Sequence, residues 1–285
     1  MDANELIRQV RKIEIKAKSQ SGDLFAGNYH SAFKGKGMTF SEVREYQVGD
    51  EVRDIDWNVT ARFGDPYIKI YEEERELSVM IIADLSASDL FGIEQAHKKD
   101  LMARICAVLA FSASQNQDKS GLLLFSDKPE KFIPPKKGKP NVLRIIRELI
   151  EFQPEGKGTN IGAAVAYALK MLKKRSIVFI VSDFIDSNYE KELQICASKH
   201  ELIAIHIYND REFNLPKMGQ VFLSDSESGE LFLADTNSKK FRETFKRKAL
   251  ERKERIMNLC VKNKIAYIEI STEDDPIAKL IKHFR

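Results

Sequence analysis

Cysteine, proline and tryptophan are scarce in this chain: three, eight and one among 285 residues. The three cysteines, Cys106, Cys196 and Cys260, are odd in number and far apart, which speaks against a disulfide framework. Each falls in a segment that reads as helix, where a reduced thiol serves as a small apolar filler, so a cytoplasmic setting is expected. The opening MDANELIRQVRKIEIKAKSQ lacks the apolar core of a signal peptide, and no stretch reaches the roughly 18 consecutive apolar residues that a bilayer crossing needs. The expectation is a soluble chain with no transmembrane segment, whose only membrane contact is peripheral. One-sided charge is missing too: 46 Lys and Arg face 43 Asp and Glu, a net charge of +3, which gives no general pull toward nucleic acid. No Gly-x-x-x-x-Gly-Lys-Ser/Thr loop is present, disfavouring ATP hydrolysis by this chain. The five histidines, His30, His97, His200, His206 and His283, show no metal-ligand spacing and read as structural.

What is present is an apolar fraction of 43%, enough for a real core, arranged with changing periodicity. Residues 3–20 predict an amphipathic helix, with Leu6, Val10, Ile13 and Ala17 at helical spacing among basic residues. It docks on its own domain or, as the alternative, on a membrane or partner. Residues 21–76 are polar and glycine-punctuated, with no helical period, and read as loops and short strands. From Leu77 onward short apolar runs alternate with helical segments. Strands are expected at LSVMIIAD, SGLLLFSD, SIVFIVSD, ELIAIHIY and IAYIEI, with a short edge strand at 131–134 and a hairpin in QVFLSDSESGELFLAD. Helices are expected over 94–114, 141–152, 161–172, 189–198, 239–259 and 276–282. Strands apolar on both faces, alternating with helices, predict an α/β fold: a doubly wound, mostly parallel sheet with helices on both faces. The domain division follows, with an extension over 1–76 and the α/β domain over 77–285.

Open parallel sheets bind ligands beyond the carboxyl ends of their strands, where strand order reverses. There the first strand ends in Asp84-Leu85-Ser86-Ala87-Ser88, a later loop carries Gly158-Thr159-Asn160, and the next strand ends in Ser182-Asp183. Residues two apart in an extended loop point the same way, so Asp84, Ser86 and Ser88 can face one point. An oxygen-only set of this kind suits a hard divalent cation, Mg²⁺ foremost, with Mn²⁺ and Ca²⁺ as alternatives. Thr159 reaches it directly or through water, and Asp183 balances charge by holding a water or a serine hydroxyl. An Asp-x-Ser-x-Ser string arises by chance in a chain of this length about 7 times in 100; its position at a strand end is what gives it weight. The alternative is that these side chains merely cap the next helix.

Asp84, Ser86, Ser88, Thr159 and Asp183 resemble, one by one, the metal-ion-dependent adhesion site of von Willebrand factor A domains, and the order of strands and helices from Leu77 is similar to that fold. The segment GKGMTFSEVREYQVGDEVRDIDWNVTARFGDPYIKIYEEERE resembles the signature of the bacterial family called domain of unknown function fifty-eight, through Arg44, Tyr46, Gly49, Asp50, Arg53, Asp56, Trp57, Ala61 and Arg62. The resemblance implies a von Willebrand factor A-like domain that acts with a MoxR-type AAA+ ATPase or that ATPase's client. Relatives often carry amino-terminal transmembrane helices, a form from which this sequence departs.

Within the signature, residues 46–57 predict a short strand pair around a turn at Gly49-Asp50, with Arg53 ion-paired to the neighbouring Asp54 and Asp56. The segment covers an edge of the sheet or, as the alternative, forms a partner surface built on Arg53, Trp57 and Arg62. The basic helix over 239–259 turns Phe241, Phe245, Ala249, Ile256 and Cys260 to the core, and its charges read as a solvated face. The leading expectation is a protein–protein interaction module, not an enzyme, that offers its cation to a partner's Asp or Glu. A phosphohydrolase using Asp84 competes poorly, because the acid that a haloacid-dehalogenase-type enzyme needs two residues on is Ser86 here and no general base is close. A structural adaptor with an unfilled site is the third reading.

Overall fold

The computed structural model describes residues 38–73, 77–86, 92–156, 158–224 and 231–284; the helix expected over 3–20 lies outside them, as does Ser88. Two compact units share the chain, one within residues 29–76 and the other from Leu77 onward. In the first, strand β1 (Met38–Glu45), helix α1 (Trp57–Phe63) and strand β2 (Tyr67–Glu73) follow in order, and β1 pairs antiparallel with β2, with a slip of register between Phe40 and Glu42. The strand pair expected inside 46–57 is therefore corrected: the partner of 38–45 is 67–73. The reason is local. Asp56 accepts hydrogen bonds from the amides of Asn58 and Val59 at 2.9 and 3.2 Å, which caps a helix starting at Trp57, and Gly64 ends it with φ at +87°, a conformation favourable only to glycine.

The remaining link is tied by Arg44, whose guanidinium donates two hydrogen bonds, at 2.8 and 2.7 Å, to the Asp50 carboxylate. Arg53 pairs with Glu51 at 2.6 Å, while Asp56, already spent on its cap, lies 3.6 Å from Lys69. The expected pairing of Arg53 with Asp54 and Asp56 is thus replaced by one with Glu51.

The second unit runs β3 (Ser78–Asp84), α2 (Gly92–Gln115), β4 (Lys119–Phe125), β5 (Pro129–Lys136), α3 (Lys139–Glu151), α4 (Ile161–Met171), β6 (Ile177–Ser182), α5 (Glu190–Lys199), β7 (Glu201–Tyr208), β8 (Gln220–Ser224), β9 (Leu231–Asp235), α6 (Lys239–Lys262), β10 (Ala266–Ser271) and α7 (Pro276–Phe284). Six strands form one sheet in the order β10-β7-β6-β3-β4-β5, parallel except for β5, which runs antiparallel along the β4 edge. β8 and β9 make the expected hairpin. This is the doubly wound α/β architecture that the alternation predicts. Helices α4, α5 and α6 cover one face over Met80, Ile82, Leu123, Phe125, Val178 and Ile180. α2 packs against α3 and α7 on the other face, where the Phe179 and Phe284 rings meet edge to face. Strands buried on both sides need apolar residues at every position, which is why β3, β4 and β6 read as continuous runs. Among the described residues no helix is long and apolar enough to cross a membrane.

The winding fixes where chemistry can sit. From β3 the chain crosses to β4 on one side, then returns through α3 and α4 to β6 on the other, so the crevice at the strand-order reversal opens beyond the carboxyl ends of β3 and β6.

At the β4–β5 edge, Gly121 leaves no room for a side chain: a Cβ there lies 2.9 Å from the Ile133 carbonyl oxygen, the Met80 Cε and the Pro135 nitrogen. Gly121→Ala is expected to cost about 1–3 kcal/mol through overpacking against backbone, read as a lower urea midpoint; an unchanged midpoint would show that the β5 edge can yield.

Candidate metal centre

Asp84 is the last residue of β3, and it is buried, with 6% of its surface exposed. The next amide, that of Leu85, donates to the Phe125 carbonyl at 2.9 Å, so the chain leaves β3 still held against β4. Asp84 Oδ1 accepts the Ser86 amide at 2.9 Å, an Asx turn that folds the loop back over the strand end. Its Oδ2 accepts the Ser182 hydroxyl at 2.5 Å. Ser182 ends β6, the strand beside β3, and its Oγ accepts the Phe184 amide at 3.0 Å. Asp183 repeats the turn, with Oδ1 accepting the Ile185 amide at 3.1 Å. Adjacent parallel strands thus bring Asp84, Ser86 and Asp183 to one rim.

Thr159 lies in the loop before α4, which is tied down on both sides. The Asn160 amide donates to the Ser126 carbonyl, just past β4, at 2.8 Å, and the Ile161 amide donates to Asp186 Oδ2, just past β6, at 2.7 Å. These ties hold Asn160, the neighbour of Thr159, between the segment just past β4 and the loop that follows β6. Asn160 also caps α4 through the Ala163 amide at 2.8 Å. The approach of the loop is set by Glu130, which takes the Ser126 hydroxyl and accepts the Glu155 and Gly156 amides at 2.9 and 3.1 Å.

Electrostatically the rim is short of positive charge. Burial, reinforced by the neighbouring Asp183 carboxylate, pushes the Asp84 carboxyl up to about 7, while the hydroxyls of Ser182 and Ser86 pull the other way. A cation relieves such a site. One positive group is built in: Lys98 of α2 reaches Asp183 Oδ2 at 3.2 Å and Glu212 Oε1 at 2.9 Å, with only 10% of its side chain exposed. Glu212 closes the 3-10 turn Asp210–Glu212 after β7 and is locked by a capping box with Asn209. His206, register partner of Ser182 on β7, is pushed down to about 4 by burial and shares a 2.7 Å hydrogen bond with the Tyr267 hydroxyl. It is a neutral ring at neutral pH and adds no charge.

Among the described residues no three His, Cys, Asp or Glu side chains gather as a metal site, so any ion here must draw on hydroxyls and water beside the carboxylates. The donors gathered here, Asp84, Ser86 and Asp183, are all oxygen, the chemistry that suits a hard cation such as Mg²⁺; Thr159 adjoins Asn160 in the loop before α4. Sequence reasoning missed Lys98, Glu212 and the bridging role of Ser182. For Lys98 a signal existed: it stands four residues before Met102 and seven before Ile105, on the stripe of α2 that is buried, and a lysine on an apolar stripe demands a carboxylate. Arg53, Trp57 and Arg62 belong to the other unit. There Trp57 is 66% exposed, and Val48, Val52 and Phe63 are exposed as well.

The charge imbalance has a measurable consequence. Folded Asp84 titrates near 7 and the ordinary value is 3.8, so between them the native state holds a proton that the unfolded chain has released. The ion-free protein therefore loses stability as pH rises through that interval. Asp84→Asn lacks this titration, and its advantage over the native chain is expected to grow from pH 4 to 7 toward about 4 kcal/mol, read by urea unfolding in chelator. A difference flat across pH would refute the account.

The family model described as protein of unknown function DUF58 matches residues 42–255, spanning both units. Uncharacterised proteins of Mycobacterium tuberculosis (Rv1480) and Mycobacterium bovis (Mb1516) are 29% identical over 232 residues, 80% of this chain and 73% of theirs. Solved structures with similarity include the conserved hypothetical protein BatB from Bacteroides thetaiotaomicron, 12% identical with a TM-score of 0.43 over 73% of this chain and 96% of that one. Another is an aerotolerance-related membrane protein from Bacteroides fragilis, 16% identical with a TM-score of 0.47 over 72% and 94%. With most of its length matched from the signature strand to the last long helix, the chain belongs to the DUF58 family.

Proposed function

We propose that the protein is an interaction module, not an enzyme, that holds one divalent cation and offers it to a carboxylate of a protein partner. The residues assigned to the ion are Asp84, Ser86, Ser88, Thr159 and Asp183, with Mg²⁺ the first choice and Mn²⁺ or Ca²⁺ the alternatives. The observation that supports this most is the buried Asp84 carboxyl, raised by burial and by Asp183; the Thr159 loop is tied between the segment just past β4 and the loop that follows β6. When bound, the ion supplies a Lewis-acidic position that accepts an external acidic oxygen. The protein's own part is to orient the donors: Asx turns at Asp84 and Asp183, the Ser182 hydroxyl between strands, and Glu130 on the loop.

The partner we assign is a MoxR-type AAA+ ATPase or its client, on the strength of the family resemblance, in a cytoplasmic setting that suits the three buried free thiols. Arg53, Trp57 and Arg62 form the second contact surface. An exposed indole beside arginines is the composition that dominates interface energetics. A metal-dependent phosphohydrolase is the weaker reading, since both Asp84 oxygens already accept hydrogen bonds from Ser86 and Ser182, leaving it poorly placed to attack.

Calorimetric titration with MgCl₂ is expected to give Asp84-dependent binding, abolished in Asp84→Ala. Capture of the ATPase or client on the immobilised chain is expected to vanish with chelator. Trp57→Ala is expected to weaken capture by more than tenfold, about 2 kcal/mol, while leaving the MgCl₂ titration unchanged. Magnesium binding that survives Asp84→Ala, or capture indifferent to chelator, rules out this function; generic phosphatase turnover lost in Asp84→Ala favours the enzyme instead.

A further inference from the structure

Among the described residues the buried ammonium at the candidate centre, that of Lys98, is not part of the metal-site pattern. Lys98 lies between two carboxylates from different elements, Asp183 past β6 at 3.2 Å and Glu212 past β7 at 2.9 Å. All three side chains are largely shielded from solvent, at 10%, 5% and 16% exposure. Nor is the pairing incidental to a floppy surface chain, because each partner is fixed. Asp183 is pinned by the Ile185 amide, and Glu212 by the Asn209 amide, which shares the Oε1 atom with Lys98.

A divalent ion drawn to Asp84 and Asp183 meets this positive charge at close range, and like charges a few ångströms apart in a poorly solvated pocket repel strongly. The ammonium has somewhere to go, since the Glu212 oxygen, at 2.9 Å, is nearer to it than that of Asp183. Resting on the metal-binding reading above, we infer that Lys98 is a built-in counter-ion that competes with the divalent cation for Asp183, and that Glu212 is the carboxylate that retains its ammonium when the ion arrives. Lys98 thus holds the site together when no ion is bound and sets the ion concentration at which the site fills. Without a partner's acidic oxygen to add to the ion's own attraction, occupancy is held down, so partner and ion bind together.

Lys98 and Glu212 are positioning residues in this scheme, and their charges act in opposite directions. Titration of the full chain with MgCl₂ by calorimetry, at fixed pH and ionic strength, is the test. Lys98→Met is expected to bind Mg²⁺ at least about tenfold more tightly than the native chain, the loss of one repelling charge. Glu212→Gln, which keeps the acceptor for the Asn209 amide, is expected to bind several-fold more weakly, because the ammonium then stays on Asp183. Lys98→Arg keeps the charge and is expected to stay near the native affinity. Should Lys98→Met fail to melt cooperatively, Glu212→Gln and Lys98→Arg carry the test. A purely structural role makes both charge-removing variants bind more weakly, so tighter binding in one and weaker in the other is its discriminating sign. Asp84-dependent binding that is unchanged or weaker in Lys98→Met, or unchanged or tighter in Glu212→Gln, overturns this inference and leaves the metal-binding reading standing. No Asp84-dependent binding in any of the proteins overturns both.

Discussion

A carboxylate buried at the end of the central strand is the constraint to which the rest of this rim answers. Taking the Asp84 side chain out of water costs several kcal/mol unless its oxygens are satisfied and its charge is offset. The oxygens are satisfied by a backbone amide and by Ser182; the charge is opposed further by a second carboxylate, that of Asp183. Everything nearby reads as a partial remedy. Ser182 can reach Asp84 only because β6 lies directly beside β3 in parallel register, Ala83 opposite Val181. That adjacency is the strand-order reversal itself, so the topology and the electrostatics of the site are one fact seen at two scales.

Much of this was legible in the chain. The central strands β3, β4 and β6 announce themselves as continuous apolar runs, because burial on both faces removes the alternation that a half-exposed strand shows. The strand-end Asp84 and Asp183 were legible for the same reason: a carboxylate that interrupts such a run has to mark its end. What stayed hidden was long-range or competitive. Lys98 and Asp183 are separated by 85 positions, and periodicity reports which face of an element is buried, never which distant side chain meets it there. In the signature segment the apolar alternation of Val52, Ile55 and Trp57 suggests a strand, yet Asp56 captures two amides and nucleates a helix instead. A single capping side chain outweighs a weak β pattern when the flanking strands supply the pairing from elsewhere.

The smaller unit follows a different logic. Helix α1 spans only seven residues, well short of what an isolated helix needs in water, and it survives through its ends. Asp56 caps the start, Gly64 turns the finish, and the Thr60 hydroxyl accepts the Tyr67 amide of β2 at 3.0 Å. So much local fixing for a helix that displays Trp57 outward is wasteful for a scaffold. A scaffold gains by turning its largest apolar side chain inward, whereas a rigid, displayed indole loses little entropy on contact and suits recognition.

An adhesion-type centre also faces an intrinsic conflict. The carboxylates that attract an ion repel one another without it, and a chain that spends time ion-free must fold regardless. A site with only oxygen donors resolves this by letting its acids take up protons, which ties occupancy to pH. A lysine inside the pocket offers a second remedy: Lys98 sits against Asp183, so in the scheme inferred above an ion would displace an ammonium there as well as the proton that burial favours on Asp84. That ammonium is carried by α2, the helix following the Asp84 loop, and is held by Glu212 in the turn after β7. Lys98 thus links three segments distant in sequence, α2, the end of β6 and the turn after β7, at one point.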